Sequence, residues 1–209
     1  MNQDKKRDRL ISELIDSNAL KTERIISAFR SVRREDFVLE KYRDYAYINE
    51  PLPIMCGQTI SQPYTVAAMT EALQPESGHV ILEVGAGSGY QSAILAEIVG
   101  EEGRIITIER KKELAEFARK NLAGYKNVVI VEGDGTEGCK KYAPYDRIIV
   151  TASSPSIPKS LVDQLKPGGV MVIPVGSEMF AIKKKDKIEK TFMGFYSFVP
   201  LIGKYGNRR

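Results

Sequence analysis

The sequence is poor in the side chains that often carry proton transfer and metal binding: its 209 residues include two cysteines and one histidine. Cys56 and Cys139 lie far apart, with no C-x-x-C pair and no histidine cluster, so no zinc site is expected. His79 stands just before an apolar run and is read as a structural or surface residue. No apolar run reaches the roughly 18 residues of a membrane span. The opening MNQDKKRDRLISELI is charged where a signal peptide needs an apolar core, so a cytoplasmic protein without a membrane partner is expected. Basic and acidic residues are interspersed, with a net charge of +4 and no basic stripe, which argues against nucleic acid as a partner. The densest run, KKKDKIEK at 183–190, is broken by Asp186 and Glu189 and reads as a solvated surface segment.

What remains is an ordinary globular chain, 43% hydrophobic and 28% charged, long enough for one domain spanning 1–209 and expected to be a monomer. Leu10, Leu14, Ile15, then Ile25, Ile26 and Phe29, fall at helical spacing, interrupted at Ser17 and Asn18, so two short N-terminal helices are expected. The Tyr- and Pro-rich DYAYINEPLPIMCGQTISQP excludes regular helix and central strand, leaving an ordered loop or substrate-facing arm. Beyond Tyr64 the pattern alternates: TVAAMTEAL as helix, HVILEV as strand, QSAILAEIVG as helix, RIITIER as strand, KKELAEFARKNLAGY as helix. VVIVEGDG, YDRIIVTAS and GGVMVIPVG supply further strands, and TFMGFYSFVPLIGKYG is expected to add edge strands. The expected fold class is α/β, a doubly wound, mostly parallel sheet.

The sharpest local signal is Glu83-Val84-Gly85-Ala86-Gly87-Ser88-Gly89-Tyr90, between an apolar strand and a helix. Gly85, Gly87 and Gly89 let backbone approach a ligand closely. A dinucleotide loop places its third glycine one residue later, where this chain has Tyr90, so the spacing disfavours a nicotinamide cofactor. S-adenosylmethionine (SAM) has no pyrophosphate; it carries a cationic sulfonium, an amino-acid tail and an adenosine, for which a nearby carboxylate such as Glu83 is useful. Glu109 ends the next strand, where an acid can accept from both ribose hydroxyls. Asp134-Gly135 closes the third, where a short acid and an open backbone can meet the adenine amine and ring.

Glu83 to Gly89, Glu109 and Asp134-Gly135 together resemble the class I SAM-dependent methyltransferases. Gly57-Gln58-Thr59-Ile60-Ser61-Gln62-Pro63, Val150-Thr151-Ala152, Leu165-Lys166-Pro167-Gly168-Gly169 and Phe198-Val199-Pro200-Leu201 narrow the resemblance to the protein-L-isoaspartate O-methyltransferases, from about Asp36 to Gly206. The resemblance implies Ser61 as the active-site serine, Gln62 and Pro63 lining the cofactor and acceptor pocket, and Thr59, Ile60 and Thr151 on the acceptor side. It implies residues 1–75 as a helical, acceptor-facing segment, 76–180 as the SAM-binding core and 181–209 as C-terminal strands. Some members carry a threonine after Val-Pro-Leu; this chain has Ile202. The implied acceptor is the free α-carboxylate of an isoaspartyl residue in a damaged protein or peptide. That group is ionised near neutral pH and attacks a methyl group without a general base, so positioning replaces proton transfer. Other readings of the same residues are a methyltransferase for RNA or a metabolite, a nicotinamide-dependent oxidoreductase, and a binding protein without turnover.

Overall fold

A computed structural model describes residues 2–208. The chain opens with α1 (Gln3–Asp16), whose first turn is capped by the Asn2 side chain accepting from the Lys5 amide, and α2 (Glu23–Ser31). Their apolar faces, Leu10, Leu14, Ile25 and Phe29 among them, share a core with Tyr90, Ala93 and Ile94. Short 3-10 turns at Arg34–Asp36 and Glu40–Tyr45 then lead to a miniature hairpin. Its strands β1 (Leu52–Pro53) and β2 (Thr59–Ile60) pair antiparallel around a turn at Met55–Gly57. The proline-rich arm is thus ordered without entering the main sheet, as its composition demands. Pro63, with no amide hydrogen to lose, starts α3 (Pro63–Leu73).

From there strands and helices alternate: β3 (Val80–Val84), α4 (Tyr90–Val99), β4 (Arg104–Glu109), α5 (Lys112–Asn121), β5 (Val128–Glu132), β6 (Tyr145–Val150) and α6 (Lys159–Gln164). The chain continues through β7 (Leu165–Val175), β8 (Glu178–Lys184) and β9 (Ile188–Phe195). The sheet order is β5-β4-β3-β6-β7-β8-β9; β3 to β7 run parallel, while β8 is antiparallel to both neighbours. Ile81, Leu82, Ile105, Ile106, Ile148 and Ile149 are fully buried, as central strands covered on both faces require. The doubly wound, mostly parallel sheet expected from the alternation is therefore present.

The winding reverses between β3 and β6, since β4 and β5 extend the sheet one way from β3 and β6 and β7 the other. In open α/β sheets that reversal opens a crevice at the carboxyl ends of the strands. The glycine loop after β3 and Thr151 after β6 both lie there.

Residues 183–190 are solvated as expected, and the C-terminal expectations gain detail. The lysine-rich run is the tip of the β8–β9 hairpin, and Lys184 donates to the carbonyls of Val162 at 2.8 Å and Leu165 at 2.6 Å, tying the hairpin to the end of α6. Of the aromatic tail only the part to Phe195 is edge strand. The remainder folds back over the strand ends: the Ser153 amide donates to Val199 and the Leu201 amide to the Ser153 carbonyl, each at 2.8 Å. The pairing stays at isolated bridges, Ser153 with Pro200 and Ile202 with Asn207, and Gly206 lies close to the Leu201 carbonyl, where a Cβ would stand 2.4 Å from its oxygen. Among the described residues no helix is long and apolar enough to cross a membrane, and no group of three or more His, Cys, Asp or Glu is placed to hold a metal.

Candidate active site

Two cavities meet at the crevice. The first, about 240 Å³, runs along the glycine loop and is lined by Glu83, Gly85, Gly87, Glu109, Gly135, Ile60 and the stretch Val199–Ile202. The second, about 540 Å³, opens beside Pro51, Gln62, Tyr64 and the segment Met193–Val199. Thr59, Ser61, Thr151 and Val199 border both, so they form the wall between them.

The glycine loop is shaped by backbone that only glycine takes readily. Gly85 sits at φ +99°, and a Cβ there would lie 2.5 Å from Thr151 Oγ1. The Thr151 hydroxyl donates to the carbonyls of Val84 at 3.0 Å and Gly85 at 2.8 Å, locking the end of β6 to the loop. Gly89, at φ +87°, leads into α4 with Leu122 against it. Tyr90, standing where a dinucleotide loop has glycine, lines the first cavity. Its ring is packed edgewise by Phe37 at 5.6 Å and covered by the buried Arg34 guanidinium at 5.0 Å. Nothing in the sequence motif announces Arg34, which comes from the 3-10 turn that follows α2.

The three acids occupy distinct environments. Glu109 accepts from the amides of Gly87 at 3.1 Å and Lys111 at 2.9 Å, so it bridges the first loop and the turn after β4 while facing the cavity. Glu83 is fully buried on the cavity floor; Ser92 donates to one carboxylate oxygen, and the other has no partner among the described residues. Burial pushes its carboxyl up to about 7 against the pull of the Ser92 hydrogen bond. A raised carboxyl contributes its stability fully below its unfolded value and loses it as pH rises through about 7. Glu83→Gln is therefore expected to raise the melting temperature of the ligand-free protein more at pH 8 than at pH 5; an equal shift at both would refute this account.

Asp134 borders neither cavity. One of its oxygens accepts from the Thr136 amide at 2.9 Å and hydroxyl at 2.7 Å, the other from the Lys204 amide at 2.7 Å. Burial alone would raise its carboxyl, but those donors outweigh it and hold it below the usual carboxylate value. Its observed work is to pin the returning tail, and through it Pro200, Leu201 and Ile202, against the cavity that Gly135 lines. Gln62 likewise faces the second cavity rather than the first and donates to the Asn49 carbonyl at 2.8 Å. Pro63 borders neither, being buried as the first residue of α3. Ile60, on the hairpin, lines the glycine-loop cavity, not the second. Ser61 stands on the shared wall, and its hydroxyl makes no hydrogen bond among the described residues. Sequence reading overlooked Arg110, Lys111 and Leu114 on the first cavity; their place just after an acid-ended strand was the available signal.

The cradle suits SAM. The loop brings glycine backbone at Gly85 and Gly87 to the cavity, one buried Glu83 oxygen on its floor has no partner among the described residues, and a second carboxylate faces it from the end of β4.

Comparison with known proteins agrees. The family model for protein-L-isoaspartate(D-aspartate) O-methyltransferase matches residues 5–206. A Methanopyrus kandleri protein-L-isoaspartate O-methyltransferase is 50% identical, over 96% of this chain and 92% of its own length. Protein-L-isoaspartate O-methyltransferase 1 of Archaeoglobus fulgidus is 46% identical, over 100% of this chain and 98% of its own. A solved protein-L-isoaspartate O-methyltransferase superposes with a TM-score of 0.88 at 30% identity, covering 96% of this chain and 67% of that one. A Plasmodium falciparum structure described as this enzyme with S-adenosyl-L-homocysteine gives 0.84 at 25% identity, covering 97% and 99%. This chain, with its class I methyltransferase fold, belongs to the protein-L-isoaspartate O-methyltransferase family.

Proposed function

We propose that this chain methylates the free α-carboxylate of L-isoaspartyl residues in damaged proteins and peptides, with SAM in the first cavity and the acceptor in the second. The observation that carries the reading is the shared wall of Thr59, Ser61, Thr151 and Val199, across which a donor on one side and an acceptor on the other come together. In this assignment Gly85 and Gly87 admit the amino-acid tail of SAM, while Gly89, which borders neither cavity, only turns the chain into α4, whose first amides suit the SAM carboxylate. Glu109 accepts from the ribose hydroxyls, Gly135 lies under the adenine, and Asp134 acts through the tail it holds. Ile202 offers the cofactor an apolar contact where some relatives have a hydroxyl.

SAM, when bound, supplies a methyl group on a positive sulfonium; the acceptor oxygen forms the new C–O bond as the C–S bond breaks, its electron pair staying on sulfur. No proton moves. A negative nucleophile and a positive donor cancel as they react, so a dry, aligned site accelerates the step. Ser61, with its hydroxyl uncommitted, orients the acceptor carboxylate by donating to it; it is not a nucleophile. Thr151, whose hydroxyl is taken by the loop, shapes the wall. The ester product closes to a succinimide without further protein help, and reopening restores part of the chain to normal aspartate.

The test is methyl transfer from labelled SAM to a short isoaspartyl peptide beside the same peptide with ordinary aspartate. Selective labelling is expected; SAM binding with no labelling would reject this acceptor. Ser61→Ala is expected to lower kcat by about tenfold, the loss of one hydrogen bond to a charged group, while SAM affinity stays put. A change confined to SAM affinity would remove Ser61 from the acceptor.

A further inference from the structure

We propose that the cavity-proximal half of β9 is a docking edge for the acceptor polypeptide, which adds to the sheet as a further strand and reaches the active site through the second cavity. This rests on the reading of that cavity as the acceptor pocket. β9 is the outermost strand, hydrogen-bonded to β8 and bare on its other side. Long edges with apolar side chains are ready templates for an incoming chain, and proteins ordinarily blunt them with charge. Here the blunting covers only one end. Near the hairpin tip β9 carries Glu189 and Lys190, with Lys185 in the turn paired to Glu189 at 2.8 Å. Toward the cavity it carries Phe192, Met193 and Phe195, which are 50%, 37% and 73% exposed. Phe192 packs on Phe195 at 5.3 Å and on Phe180 at 5.9 Å; the Lys190 ammonium covers the buried Phe180 ring at 3.4 Å, so the open apolar step is Phe192 and Phe195.

The apolar end runs into the acceptor cavity, whose lining includes Met193, Gly194 and Phe195. The two are joined by a bulge: Phe180 pairs with Phe192 and Met179 with Gly194, leaving Met193 as the extra residue, and Gly194 sits at φ +121°. A bulge beside a site turns the strand and re-aims its side chains, here from the open edge toward the cavity mouth. The occupant that fits is an extended polypeptide, its backbone paired to β9 and an apolar side chain on the Phe192–Phe195 step. Backbone pairing gives affinity without demanding a sequence, which suits an acceptor defined by damage at one residue.

The experiment compares peptides on the full-length protein: a minimal isoaspartyl peptide, longer ones carrying an apolar residue on either flank, and longer ones with flanking amides N-methylated. Lengthening on one flank is expected to lower KM by about tenfold with kcat unchanged, and N-methylation on that flank to abolish the gain. Phe192→Ser, outside both cavities and already half-exposed, should raise KM for the long peptide while leaving the minimal peptide's constants as they were. If all peptides are methylated with the same KM, or N-methylation is without effect on both flanks, the docking edge is refuted and the function stands. If none is methylated although SAM binds, the function fails and the inference with it. A dimer that Phe192→Ser dissolves, with peptide KM unmoved, would give the edge to a second copy and overturn the proposal.

Discussion

Glu109→Ala is expected to weaken SAM binding by about 100-fold, read by calorimetry or by loss of ligand-induced thermal shift, with kcat at saturating SAM much less affected. The carboxylate accepts from the amides of Gly87 and Lys111 and faces the first cavity. In the proposed assignment, removing it takes away the acceptor for the ribose, and it leaves the two amides without their partner, so the glycine loop loses its anchor to the end of β4. Hydrogen bonds to a charged group contribute about 1.5–3 kcal/mol each, and about 2.7 kcal/mol corresponds to 100-fold in affinity. Glu109→Gln, which keeps the size and one acceptor, should fall between the two proteins. A Glu109→Ala protein binding SAM within threefold of the parent would show that the ribose is held elsewhere.

Gly85→Ala should be a strongly damaging conservative change at the cofactor loop. A methyl at Gly85 would stand 2.5 Å from Thr151 Oγ1, on backbone at φ +99°. Thr151 cannot turn away freely, because its hydroxyl holds the carbonyls of Val84 and Gly85. Strain of this kind costs about 2–3 kcal/mol, or roughly 5–10 °C in melting temperature for a chain of this size. SAM binding should fail with it, since relief requires the loop to move. The double variant Gly85→Ala/Thr151→Ala separates the causes: it should recover part of the stability by removing the clash, and none if backbone strain alone is responsible. A single variant that melts with the parent and binds SAM normally would contradict the close approach described here.

The elements bearing on the site differ in how openly the sequence declared them. β3, β4 and β6 were plain because strands covered on both faces need unbroken apolar runs, and each ends at glycine, acid or threonine where the lining of the first cavity begins. The glycine loop was legible because positive φ is a local demand that only glycine meets easily. Asp134 was visible as an acid at a strand end, but not its engagement: the Lys204 amide lies 70 positions further on, and no local pattern encodes that pairing. Arg34 beneath Tyr90 was silent for the same reason. Glu83 showed its position without its burial, which depends on α4 closing above it. The β8–β9 hairpin was masked because both faces of β9 are largely exposed, so the alternation that reveals a half-buried strand is missing and charge dominates the reading.

The returning tail also places the site in time. Val199 to Ile202 wall the first cavity, and the Lys204 amide and Asn207 side chain hold that wall to Asp134 and Ser153. A ribosome-bound chain that has emerged only as far as β9 owns the glycine loop, the acids and Ser61, yet lacks one wall of the pocket. Such a nascent chain is expected to remain idle, so activity begins only once residues 199–207 have emerged and folded back.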